Sequence, residues 1–119
     1  METDRQRSGR MAEEAVLAAA HIRGLKVIEK NYHTRYGELD LVLTDNVTLI
    51  VVEVRYRSHD HFGSAVETVN RPKQRKIIAA TKGFLVAHTQ WHDAPIRFDV
   101  VGVNSSGDLD WIEQAFLGE

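Results

Sequence analysis

The segment between residues 37 and 57 constrains the fold of this chain more than any other. It reads GELDLVLTDNVTLIVVEVRYR, two apolar, β-branched runs separated by the turn sequence TDN. Apolar runs with turn residues between them predict an antiparallel β-hairpin. Charges interrupt both runs, at Glu38, Asp40, Glu53, Arg55 and Arg57. A hairpin of this kind needs a reason for carrying charge in its most apolar stretch.

The hairpin register follows from keeping these charges together. A turn centred on Asp45 and Asn46 places Asp40 opposite Val51. Because side chains alternate between the two faces of a strand, the carboxylates and arginines then share one face. A slip of one residue would bury the carboxylates among valines at a cost of several kcal/mol. The pattern therefore predicts a charged, open face on this hairpin.

Asp40 and Glu53 are diagonal neighbours in this register, with Cα atoms roughly 7 to 8 Å apart. Two carboxylates at that separation can share a divalent cation such as Mg²⁺, which prefers oxygen ligands. Arg55 follows Glu53 on the same face. An ion network in which Arg55 and Arg57 neutralise the carboxylates explains the same spacing, and the spacing alone leaves both interpretations open.

Length and composition indicate one domain over residues 1–119. Apolar residues make up 43% of the chain and charged residues 27%, which is typical of a globular protein. We expect residues 1–8 to be a flexible N-terminus and residues 104–119 to be an acidic C-terminal extension. The chain has no cysteine, so disulfides and thiolate zinc sites are excluded. It has no apolar run long enough to span a membrane and no secretory signal pattern, so we expect a cytoplasmic protein without a membrane partner.

The remaining elements follow from periodicity and turn signals. Residues 58–71 are rich in Gly, Ser, Asn and Asp and are interpreted mainly as loop. We predict helices over residues 5–23 and 72–88, strands over 25–32 and 96–103, and a short strand or helix over 109–117. The resulting order, α-β-β-β-α-β, predicts an α/β fold with a mixed β-sheet flanked by helices.

Charge is unevenly distributed along the chain. Between Arg55 and Lys82 there are seven Lys or Arg residues and two acidic ones, a local charge of +5 in a chain of net charge −2. Such a stretch is typical of proteins that bind anions, although most charge clusters are only solvated faces. In the predicted second helix the cations Lys73, Arg75 and Lys76 lie in the first turns, where the helix dipole disfavours them. They either face a phosphate or pair with acidic residues.

Two further groups lie outside the hairpin. His59 and His61 flank Asp60 in the predicted loop, where they form either a metal-binding clip or a solvated polar turn. Asp99 lies in a predicted buried strand, and we expect it to pair with Arg97 or another arginine as a structural group.

Six motifs together resemble a known family. GRMAEEA, GELDLV, VVEVRYR, FGSA, RPKQRKI and IRFDVV occur in this order between about residues 9 and 103. Their order and spacing are similar to those of the YraN family of small bacterial proteins. That family resembles the PD-(D/E)xK nucleases, near the Holliday-junction resolvases. The resemblance implies a restriction-endonuclease-like single domain.

The resemblance also implies roles for individual residues. Asp40 and Glu53 match the metal-binding carboxylates of the superfamily, and Glu13 matches a helix glutamate that points at the metal. Arg55 stands where the superfamily has its catalytic lysine. A guanidinium stays protonated and cannot act as a base, but it can bind a phosphate oxygen or stabilise a transition state. Without the resemblance, the favoured interpretation of Glu13 is a glutamate in the first turns of its helix, where its charge favours the helix dipole.

The activity implied by the resemblance is Mg²⁺- or Mn²⁺-dependent hydrolysis of phosphodiester bonds in branched or duplex DNA. The residues expected to contact DNA are Arg57, Arg71, Lys73, Arg75 and Lys76. A four-way junction needs two cuts, so that substrate favours a homodimer. A nucleic-acid-binding module without turnover and a protein-interaction domain remain as alternatives on the sequence alone.

Overall fold

The computed structural model describes residues 1–57 and 63–118, and at residues 63 and 64 it describes the backbone alone. The elements are, in chain order, α1 (Asp4–Ile22), β1 (Lys26–Thr34), β2 (Gly37–Thr44), β3 (Leu49–Arg57), α2 (Gly63–Glu67), α3 (Arg71–Ala87), a 3₁₀ turn (Thr89–Trp91), β4 (Ile96–Asn104) and β5 (Leu109–Phe116). The predicted α/β class and the order of its main elements are confirmed. The arrangement is compatible with the restriction-endonuclease-like fold that the resemblance implies.

The five strands form one mixed sheet in the order β1-β2-β3-β4-β5. Only β3 and β4 run parallel, and the other neighbours are antiparallel. The segment predicted as either a strand or a helix is β5, which forms one edge of the sheet. Most of the predicted acidic extension therefore completes the sheet.

Helix caps explain where the two long helices begin. Thr3 and Gln6 form a capping box, with hydrogen bonds of 3.1 and 2.9 Å, and α1 starts at Asp4. Residues 4–8 are thus the start of α1, and the flexibility expected of residues 1–8 stays a prediction. Asn70 caps α3 by accepting a hydrogen bond from the Lys73 backbone N–H at 3.0 Å.

No helix in the described part of the chain is long and apolar enough to cross a membrane.

The predicted loop over residues 58–71 is wrong for part of its length. Helix α2 occupies Gly63–Glu67. Ala65 and Val69 are 2% and 3% exposed, so this segment is anchored by apolar contacts that its polar composition did not indicate.

The two long helices cover opposite faces of the sheet. The buried side chains of α1 are Ala12, Val16 and Ala20. α3 covers the other face with a buried stripe that includes Ile77 and Phe84. Residues 49–53 of β3 are buried between the two layers. The prediction of an open charged face on the hairpin is therefore wrong, because α3 covers that face.

The β2–β3 hairpin pairs in a register two residues from the predicted one. Val42 lies opposite Val51, a position that the sequence analysis assigns to Asp40. The turn is centred one residue later because the Asp45 side chain accepts hydrogen bonds from the backbone N–H groups of residues 47 and 48 at 2.9 and 2.7 Å. Within the paired residues 41–44 and 49–52, an even shift leaves each side chain on its predicted face. Asp40 and Glu53 lie just beyond these residues, and their side chains still interact.

β2 and β3 diverge beyond Leu41 and Val52, the last pair that they share. From there β2 continues beside β1 and β3 continues beside β4. Leu39 packs in the core under α3, whereas Leu41 packs in the core under α1, so the alternation of β2 breaks at Asp40. The divergence leaves Asp40 and Glu53 as the first residues beyond the paired part of the hairpin.

Candidate active site

A cavity of about 200 Å³ lies where β2 and β3 diverge, between the first half of α1 and the first turn of α3. Its charged lining residues are Glu13, Asp40, Glu53, Arg55 and Lys73, and the others are Gly9, Ala12, Val54 and Tyr56. The structure therefore brings the four residues predicted to be catalytic to one cavity, together with a lysine predicted only to contact DNA.

Asp40 and Glu53 are held at the base of this cavity. Oδ2 of Asp40 accepts a hydrogen bond from the Val54 backbone N–H at 2.9 Å, and this bond links the two strands where they diverge. The Glu53 residue is 4% exposed. Its Oε2 atom accepts a hydrogen bond from Arg55 Nη2 at 3.1 Å and lies 3.4 Å from Lys73 Nζ. Two cations thus meet one carboxylate oxygen.

Burial, more than any neighbouring group, raises the pKa of Glu53 to about 8. The charge of Asp40 and a hydrogen bond with its side chain raise this pKa further, while the charges of Lys73 and Arg55 oppose the shift. The two cations therefore do not fully compensate the carboxylate pair. Additional positive charge beside Asp40 and Glu53 would stabilise the ionised pair.

Glu13 faces the same cavity from α1 and is half-buried. Burial raises its pKa, a hydrogen bond from Asn31 opposes the shift, and the charges of Asp40 and Glu38 raise it further. Asn31 Nδ2 donates that bond to Glu13 Oε1 at 3.2 Å. Asn31 was not predicted from the sequence to belong to the site. Asn31 adopts a φ of 49°, a conformation that asparagine tolerates better than most residues. An asparagine within a predicted strand was therefore the sequence feature that could have indicated an irregularity at this position.

Arg55 is held less completely than a structural arginine usually is. One nitrogen of its guanidinium contacts Glu53, and its Nε is buried without a hydrogen-bond partner among the described residues. The bidentate fork that arginine forms with a carboxylate is thus not made here.

The donors at this site suit a hard divalent cation. Asp40 and Glu53 offer carboxylate oxygens, which Mg²⁺ and Mn²⁺ prefer, in a place where Arg55 and Lys73 compensate their charge only in part. Within residues 1–57 and 63–118, no three His, Cys, Asp or Glu side chains are grouped closely enough to hold a metal ion, so Glu13 does not complete a three-ligand set. A cation here would keep several water ligands, as Mg²⁺ commonly does. The predicted alternatives at His59 and His61 fall outside the described residues.

The residues predicted to contact DNA separate into different places. Lys73 lines the cavity, and Lys76 is exposed on the next turn of α3. Arg71 and Arg75 line a second cavity, of about 340 Å³, which also borders the end of β5. Arg57 is half-buried at the end of β3. The separation follows from the helix itself, in which successive side chains rotate by about 100°.

Asp99 is structural, as predicted. It is 1% exposed and accepts hydrogen bonds from Arg97 Nε and Nη2 at 2.9 and 3.0 Å. Trp111 Nε1 and the backbone N–H of Gln114 also donate to it, at 2.8 and 3.0 Å. These donors satisfy both of its oxygens, and Asp99 does not line the candidate active site.

Comparison with known proteins shows which family this chain is similar to. The model of the uncharacterised protein family UPF0102 matches residues 12–103. A UPF0102 protein of Stutzerimonas stutzeri is 46% identical over 117 residues, which are 96% of this chain and 98% of that protein. One from Pseudomonas aeruginosa is 44% identical, covering 96% and 98%. One from Alcanivorax borkumensis is 39% identical, covering 97% and 95%. UPF0102 is the family of the YraN proteins, so the predicted resemblance is confirmed.

Proposed function

We propose that this chain, which belongs to the uncharacterised protein family UPF0102, is a metal-dependent endonuclease that hydrolyses DNA phosphodiester bonds. The observation that carries the proposal is the carboxylate pair of buried Glu53 and half-buried Asp40, in a cavity where two strands diverge. Burying a carboxylate beside another carboxylate costs free energy. Such unfavourable arrangements are typical of functional sites.

Asp40 and Glu53 would hold Mg²⁺ or Mn²⁺ in this cavity. The bound ion would supply water activation at neutral pH and stabilisation of charge on the phosphate. The protein residues do the rest: Asp40 is oriented by its bond to the Val54 N–H, and Glu53 by its contacts with Arg55 and Lys73.

Glu13 contributes to the wall of the cavity from α1, and Asn31 of β1 donates a hydrogen bond to it. The Glu13 carboxyl is half-buried and shares a hydrogen bond with Asn31, so its position is defined. We assign it to orienting the attacking water. Substrate binding would use exposed Lys76 and the end of β3 at Arg57 as contacts to the phosphate backbone. A homodimer would allow two coordinated cuts on branched DNA.

One arrangement in the site favours a second candidate, a nucleic-acid-binding module without turnover. Both nearby cations already contact Glu53 Oε2, and Arg55 replaces the lysine of the superfamily motif. Such a protein would bind the phosphate backbone through its basic residues and would cut nothing.

Cleavage by purified protein tests the endonuclease. Labelled linear, single-stranded, flapped and four-way-junction DNA are incubated with Mg²⁺, Mn²⁺ or EDTA. Metal-dependent cuts that disappear in Asp40→Asn would support the proposal and identify the preferred DNA shape. Asp93→Asn is the matched control, because the Asp93 side chain is 98% exposed and outside the cavity lining, and it should cut normally.

Binding measurements distinguish the alternatives when no DNA is cut. Affinity that falls steeply with salt, with a slope reduced by about 1 in Lys76→Ala, would indicate phosphate contacts and favour the binding module. The absence of both cleavage and salt-dependent binding would contradict both candidates and leave a protein-interaction domain.

A further inference from the structure

Lys73 differs from the other cations of α3 in the direction of its side chain. Ile77 and Phe84 follow it by four and eleven residues and are 2% and 0% exposed. Residues with these spacings lie on one face of a helix, so Lys73 is the first residue of the stripe that α3 buries against the sheet. The exposed cations of the same turns are Arg71, Arg75 and Lys76. A positive charge at the start of a buried stripe calls for a specific partner.

The position of Lys73 is defined at both ends of the residue. Its backbone N–H donates to the Asn70 cap at 3.0 Å, and Nζ lies 3.4 Å from Glu53 Oε2. The Lys73 side chain is 36% exposed. The ammonium therefore lies where the carboxylate pair meets the solvent-accessible part of the cavity.

Lys73 is better placed than Arg55 to contact a substrate. Arg55 extends from the same strand as Glu53, two residues later, and its Nε is already buried. Lys73 reaches Glu53 from another element, on a flexible stem that ends in three donors. It is the lysine among the described residues that line this cavity. A phosphate beside Asp40 and Glu53 would lie within reach of Nζ.

We infer that Lys73, rather than Arg55, is the cation that touches the scissile phosphate: its ammonium donates to a non-bridging oxygen and stabilises the charge developing there. The inference rests on the proposed endonuclease activity. In that hydrolysis the oxygen of water bonds to phosphorus, the bond from phosphorus to one ester oxygen breaks, and one proton of the water ends on the departing oxygen. Lys73 keeps its proton throughout.

The absence of cysteine from the chain permits a sharp test. Lys73→Cys introduces one thiol, which bromoethylamine converts to an amine-bearing lysine analogue and iodoacetamide to a neutral side chain of similar position. Lys82→Cys is the matched control, because Lys82 is an exposed lysine of the same helix and lies outside the cavity lining. Three quantities are measured for each form: the single-turnover cleavage rate at saturating DNA, DNA affinity in EDTA, and Mn²⁺ affinity by calorimetry without DNA.

We expect unmodified and neutral Lys73→Cys to cut at least about 100-fold more slowly than wild type, with DNA and Mn²⁺ affinities within about threefold. The amine-bearing form should regain most of the rate. The Lys82→Cys forms should leave all three quantities within about twofold of wild type.

Each other outcome has a defined meaning. Equal rates in all Lys73→Cys forms, with tighter Mn²⁺ binding in the neutral form, would show that Lys73 only balances the charge of Glu53 and would overturn the inference. Loss of Mn²⁺ binding or of folding that the amine restores would also overturn it, because Lys73 would then support the carboxylates. If the lower rate persists after the amine is restored, the inference fails as well. A wild-type protein that cuts no DNA would overturn the proposed function itself.

Discussion

Two carboxylate–arginine pairs lie on the adjacent parallel strands β3 and β4, and they behave differently. Glu53 and Arg55 are two residues apart on β3, as Arg97 and Asp99 are on β4. Both carboxylates are buried, at 4% and 1% exposure. By residue spacing and burial the two pairs are almost the same.

The difference lies in how completely each carboxylate is satisfied. Asp99 accepts two parallel bonds from Arg97 and further bonds from Trp111 and the Gln114 backbone. Glu53 receives its two cations on a single oxygen and lies beside Asp40, and its pKa is raised to about 8. A buried carboxylate whose two oxygens both accept hydrogen bonds is a structural group. A buried carboxylate whose negative charge is only partly compensated indicates a ligand-binding site.

The largest expected effect is on stability when each carboxylate is removed in turn. Asp99→Ala should lower the free energy of unfolding by about 3 kcal/mol, because it leaves Arg97, Trp111 and the Gln114 N–H without their acceptor. Glu53→Gln should leave stability at neutral pH unchanged or higher, because it removes a carboxylate that is unfavourable to ionise there. Urea unfolding of both variants measures this. Equal destabilisation would remove the distinction between the two pairs.

Stability should also depend on pH through Glu53. Its pKa is about 8 in the folded protein against an ordinary 4.5, so the folded state retains a proton that the unfolded chain releases. Its contribution to stability is therefore fully present below pH 4.5 and is lost as the pH rises towards 8. Wild type should lose stability relative to Glu53→Gln across that window. A constant difference between the two unfolding free energies would contradict the raised pKa.

Divalent cations should stabilise the protein by binding beside Glu53, and they should not bind beside Asp99. Mg²⁺ or Mn²⁺ at ten times its dissociation constant should stabilise wild type by about 1.4 kcal/mol. The gain should vanish in Asp40→Asn and persist in Asp93→Asn, measured as the shift in thermal unfolding. A gain that survives in Asp40→Asn would place the metal elsewhere.

The smallest expected effect separates the two arginines. Arg97→Lys should cost about 1 kcal/mol, because an ammonium cannot reproduce the two parallel bonds to Asp99. Arg55→Lys should cost less, because Arg55 uses one nitrogen on Glu53 and a lysine can replace that contact. Chemical denaturation of the two variants compares them directly. The reverse order would mean that Arg55 is the structural arginine.

Much of the site was predictable because its pattern is local. Alternation along two strands placed Asp40 and Glu53 on one side of the hairpin, and their side chains still interact after the even shift in register. The predicted turn centre was one residue too early, because turn-forming residues occur at both possible centres. The hydrogen bonds that the Asp45 side chain accepts select the later one. Asn31 was missed because its contact with Glu13 joins residues 18 positions apart.

The sequence by itself determined the order of the elements, the shared side of Asp40 and Glu53, and the pairing of Asp99 with an arginine, since these depend on periodicity and on neighbours along one strand. Only the tertiary structure decided that α3 covers the hairpin and that Lys73, among the cations of that helix, reaches Glu53. The rotation of α3 on the sheet is set by the packing of Ile77 and Phe84 against strands distant in sequence. No local pattern encodes that angle, because it depends on which residues of the sheet the helix meets.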